Sequence, residues 1–148
     1  MKKYEFTGET KKVEMLFRIV TLHRIRATVS FGLVEVGELG GWIEKEENLS
    51  HDGKAWVWGN AKVFSASHVL VIGAIGSRND FTTFYRDKDN EITVKCGCFL
   101  GKIDKFLQKV TETHGDSKYA LVYRAAVEVA KLQIDLSGEA PKEEDGAE

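Results

Sequence analysis

Residues 55–76 read AWVWGNAKVFSASHVLVIGAIG. Val57, Val63, Val69 and Ile75 fall six apart, and Ala55, Ala61, Ser67 and Gly73 precede each of them by two positions. A period of six belongs neither to a helix, at 3.6, nor to a strand, at 2. If each unit makes one short strand and one turn, three units close a triangular coil, and stacked coils bury every sixth aliphatic residue with a small neighbour beside it. The period therefore predicts a short, hexapeptide-type β-helix-like core. Ile43 and Leu49 share the phase of the small-residue series, so the pattern begins before the obvious repeats. A solenoid this short needs caps or an oligomer. Trp56 and Trp58 flank Val57; with Val57 inward, strand alternation turns both indoles outward, which predicts a homo-oligomer to cover them.

Upstream, HRIRATVSF alternates Ile25, Ala27, Val29 and Phe31 with Arg24, Arg26, Thr28 and Ser30, the pattern of antiparallel strands wet on one side. GELGGW then places three glycines within five residues, which predicts a sharp bend where the backbone needs positive φ or close approach. Downstream, SRNDFTTFYRDKDNEITVKCGCF reads as a hairpin, with one strand over 80–86, a turn at DKDN and a second strand over 91–99. Ile103, Phe106, Leu107 and Val110 share one face of a first helix that stops at Gly115. Asp116 or Ser117 caps a second helix, whose inward face reads as Tyr119, Val122, Tyr123, Ala126, Val129 and Ala130. The expected class is α+β: N-terminal antiparallel strands with the β-helix-like segment over 1–76, a ββαα subdomain over 77–136, and a disordered acidic tail over 137–148.

Composition narrows the function. The 148 residues carry a net charge of −2, which gives no global field for steering a polyanion and excludes a dedicated non-specific nucleic-acid binder. No apolar run is long enough for a membrane span and the start is not that of a signal peptide, so a cytoplasmic protein is expected. Cys96 and Cys98 are too close for an easy disulfide and too few for structural zinc; His114 is the one partner to test with them. No metal and no cofactor are expected.

The segments LHRIRA, VGELGGWIEKEENLSHDGKAWVWGNAKV, IGSRNDFTTFYR, CGCF and THGDSKYA together resemble a family of phage- and prophage-encoded proteins with hexapeptide-type repeats and a C-terminal hairpin and two-helix module. The resemblance spans about residues 13–134, with the solenoid shortened. It implies a phage gene product acting in the bacterial host cytoplasm and opposing host defence.

Two polar clusters carry the chemistry. Arg78, Asn79, Thr82, Tyr85 and Arg86 follow the repeats, combining phosphate-pairing guanidiniums with hydroxyls and a ring able to stack on a base. His114 and Lys118 stand at a helix N-terminus, where anions are favoured. These seven are the expected ligand-binding residues of a non-enzymatic protein that sequesters a nucleotide-like immune signal. The alternative is direct inhibition of a host defence protein, such as a CRISPR nuclease, by nucleic-acid mimicry through Glu44, Glu46 and Glu47 or the tail. An acyltransferase-like enzyme using His51 or His68 as base comes last. No catalytic set is assigned.

Overall fold

The computed structural model describes residues 2–14, 18–32, 34–52, 55–59, 61–137 and 142–143. Their elements are β1 (Tyr4–Glu14), β2 (Ile19–Ala27), β3 (Leu39–Ile43), β4 (Lys62–Val63), β5 (Val69–Ile75), β6 (Asp80–Arg86), β7 (Ile92–Cys96), β8 (Phe99–Lys102), α1 (Ile103–His114), α2 (Lys118–Gln133) and β9 (Lys142–Glu143). Two sheets result, in the orders β4-β3-β2-β1-β9 and β5-β6-β7-β8. The protein is α+β.

It is not a β-helix, and the hexapeptide reading is corrected here. The period does mark burial at first: Ile43, Leu49, Ala55, Val57, Ala61 and Val63 are all in the core. But the chain between them makes one wrap, whose ends meet in a parallel pairing of two residues, Trp42↔Lys62 and Ile43↔Val63. Among the described residues no second coil stacks on it. β3 gives its other edge to β2 in antiparallel pairing, and β5 turns back antiparallel onto β6. Val69 and Ile75, the later members of the series, are only half-buried, and Gly73 is exposed.

The outward tryptophans are corrected with it. Residues 55–58 are not a strand, so alternation does not govern them. Trp56 is fully buried beside Val57, also fully buried, while Trp58 is half-buried. Trp56 fits because of the glycines in GELGGW. Gly40 lies within β3, and a Cβ there would stand 2.6 Å from the indole Cζ2 and 2.8 Å from Ile25 Cγ1. Close approach, rather than a bend, is what Gly40 supplies.

One core joins Tyr4, Ile25, Ala27, Ile43, Trp56 and Val63 of the first sheet region to Tyr85 of β6, with Val69 and Val71 packed against it. The second core lies between the other face of the C-terminal sheet and the helices, built on Phe84, Val94, Phe106, Val110, Tyr123 and Ala130. The hairpin of the ββαα reading is thus the middle of a four-stranded sheet, extended by β5 and β8. On α2 the core side is rotated from the expected one. Ala120 and Val127 are buried, whereas Tyr119 and Val129 are 44% and 46% exposed. At the C-terminus, Lys142–Glu143 pair with Glu14 and Val13 of β1. Residues 138–141 and 144–148 of the segment expected to be disordered lie outside the described residues.

Candidate functional site

The seven expected ligand residues divide according to strand geometry. On β6, successive side chains leave on opposite faces. Thr82 is buried on the helix side and its hydroxyl donates to the Cys96 Sγ at 3.4 Å. Tyr85 is buried on the opposite side, in the N-terminal core, 6.0 Å from the Trp58 ring. Arg86 is buried at the end of the strand, where its Nε donates to Asn90 Oδ1 at 2.6 Å and its guanidinium lies over Phe64. Asn79 occupies the β5–β6 turn with φ 52°. Lys118 is exposed on the first turn of α2.

Arg78 and His114 do come together. They line one cleft of about 280 Å³, between the β5–β6 and β7–β8 turns and one face of α1. That volume is near the lower end for small-molecule sites. The α1 side supplies Phe106, Lys109, Val110, Thr113 and His114, the i, i+3, i+4, i+7, i+8 set of one helix face. Tyr123 reaches in from α2 and Phe99 from β8; Ser77 and Asp80 stand beside Arg78 at the rim. Arg78 and Lys109 bring two basic side chains to the lining against the single carboxylate of Asp80. The aromatic floor is fixed: Phe106 meets Tyr123 edge-on at 5.7 Å and lies tilted to Phe99 at 5.5 Å, and His114 stacks on Tyr123 at 5.7 Å. Burial, then the neighbouring Cys96, pushes the Tyr123 hydroxyl up to about 12, so it stays a donor at neutral pH.

Lys109, Phe99, Phe106 and Tyr123 were missed as site residues. Helical spacing announced an apolar face on α1, but Lys109 borders that face and reads as solvated. The available signal was the continuation of the Phe106–Val110 face through Thr113 and His114. Cys96, half-buried, and Cys98, exposed, are free thiols on the wall of this cleft with His114. Among the described residues no three His, Cys, Asp or Glu side chains are arranged to hold a metal ion.

The two histidines weighed as bases are engaged elsewhere. His51 Nδ1 accepts from the Lys3 N–H at 3.1 Å and its Nε2 lies 2.8 Å from Glu46 Oε1, with the ring stacked on Tyr4 at 4.0 Å. His68 is buried: its Nδ1 accepts from the Phe64 N–H and its Nε2 faces Arg86 Nη1, each at 3.3 Å. Burial, and secondarily the Arg86 charge, holds His68 down at about 4, against an ordinary 6.5. An unfolded chain then takes up a proton near pH 6.5 that the folded chain refuses until about pH 4. Stability is accordingly full above pH 6.5 and falls through this window, by about 1 kcal/mol per pH unit. Urea denaturation at a series of pH values should show that slope, and His68→Gln should flatten it.

The acidic cluster is largely compensated. Glu44 pairs with Arg18 at 3.1 Å, and Glu46 with Lys2 at 3.0 Å as well as with His51. No helix among the described residues is long and apolar enough to cross a membrane. No family model, curated protein or solved structure matches the chain.

Proposed function

We propose that this protein binds, without turning over, a small anion with an aromatic or apolar part, of the size of a single nucleotide, in the cleft between α1 and the two sheet turns. The observation that carries the reading is the meeting of Arg78, Lys109 and His114, drawn from segments some thirty residues apart, above a floor of Phe99, Phe106 and Tyr123. Cations at the rim suit a phosphate, and a fixed aromatic floor suits a planar ring. Thr82, Tyr85 and Arg86 leave the ligand set, since each is buried in core packing. Binding is favoured over acyl transfer because His51 and His68 are both engaged away from this cleft. The resemblance to phage-encoded proteins makes the nucleotide signals of bacterial immunity the first ligands to try. The compensated acids at Glu44 and Glu46 give nucleic-acid mimicry little support.

Isothermal titration with a panel of mononucleotides and cyclic nucleotides tests this. One of them should bind in the micromolar range, more weakly as salt rises, and the double substitution Arg78→Ala, Lys109→Ala should lower its affinity by about tenfold or more. A panel that gives no heat, or a ligand indifferent to both substitutions, overturns the reading.

A further inference from the structure

The side of α2 that turns away from the core carries a second pattern. Lys118, Leu121, Ala125, Glu128 and Leu132 are spaced three, four, three, four, the seam of a helix that packs on another helix. Leu121 is 60% and Leu132 89% exposed, the two most open large apolar side chains among the described residues of this helix. The charges on the seam decide what can cover it. A lipid surface would bury Lys118 and Glu128 at a cost. A parallel second helix of the same sequence would set Lys118 against Lys118 and Glu128 against Glu128. An antiparallel one converts both conflicts into opposite-charge pairs.

We propose that α2 pairs antiparallel with α2 of a second copy of this chain, about a two-fold axis beside residue 123. Lys118 then faces Glu128 of the partner subunit on both sides of the axis. Leu121 meets Ala125 of the partner subunit, large against small, as close helix packing requires. Leu132 lies over the turn that precedes α2 in the second copy. A helix of 16 residues is about 24 Å long. One such pair buries less than a standard interface, so the dimer is a weak one that dissociates in the micromolar range. This surface lies on α2, which carries none of the tryptophans that first pointed to an oligomer, and its centre, Leu121 and Ala125, is outside the lining of the ligand cleft.

Sedimentation velocity over a concentration series, at low salt, tests the pairing. The full chain should show a monomer–dimer equilibrium, and Leu121→Glu should weaken it about tenfold or more. Lys118→Glu and Glu128→Lys should each weaken it about tenfold, and the double reversal should restore it. The two positions lie about 15 Å apart along one helix, so recovery can arise only between copies. Circular dichroism confirms that each variant is folded. A chain that is monomeric throughout, a dimer indifferent to Leu121→Glu, or a double reversal without recovery overturns the proposal.

Discussion

Trp56→Ala lowers the free energy of unfolding by about 4 kcal/mol, the range for removing a large aromatic side chain from a packed core. In a chain of this length the melting temperature should fall by about 10 °C. The indole has no exposed surface, sits in the slot left by Gly40, and meets Phe31 edge-on at 5.4 Å and Tyr4 at 6.3 Å. Neither sheet can close over the gap, because β3 is held on one edge by β2 and on the other by β4. Trp56→Phe should cost less than half as much, since the lost Nε1–H meets no hydrogen-bond acceptor among the described residues. Thermal denaturation of both variants measures the difference. Had Trp56 pointed to solvent, neither substitution would move stability by more than about 0.5 kcal/mol.

Gly76→Ala costs about 3 kcal/mol, from two sources. The residue has φ +83°, a left-handed conformation that strains any residue with a Cβ. That Cβ would also stand 1.8 Å from the Tyr123 Oη and 2.5 Å from its Cζ. Tyr123 cannot swing aside, because its ring is held between Phe106 and His114. The β5–β6 turn must move instead, and it carries Arg78. The substitution should therefore reduce stability and nucleotide affinity together. In a Tyr123→Phe background the hydroxyl clash is gone and the ring clash remains, so Gly76→Ala should cost less there but still more than backbone strain alone. Equal costs in the two backgrounds would show that Tyr123 does not limit the turn.

Much of the local structure was legible in the sequence, because local structure follows from local spacing. The alternation in HRIRATVSF falls partly in β2, where Ile25 and Ala27 are buried opposite Arg24 and Arg26. The apolar face of α1 is where its spacing put it, at Phe106 and Val110. Of the site, the sequence offered Arg78 and His114 as polar groups. It could not supply their meeting, nor the separation of Thr82 and Arg86 from Tyr85 across a sheet covered on both faces. On α2 the expected face was right at Tyr123, Ala126 and Ala130, which are buried, and wrong at Tyr119 and Val129, which are exposed while Ala120 and Val127 take the core side; apolar residues lie all round this helix, so spacing alone did not fix its rotation.

By itself, then, the sequence marked the first half of the six-residue series for the core: Ile43, Leu49, Val57 and Val63 are buried, whereas Val69 and Ile75 are half-buried. A period states how often the chain returns to the core, not by what path. The path was decided by pairing partners distant along the chain. β6 offered β5 an antiparallel edge of five paired residues, and β2 took the free edge of β3 over three, where the hexads offered a parallel pairing of two. Backbone groups that leave water must find partners, and the longer ladders satisfied more of them than a coil with nothing stacked upon it.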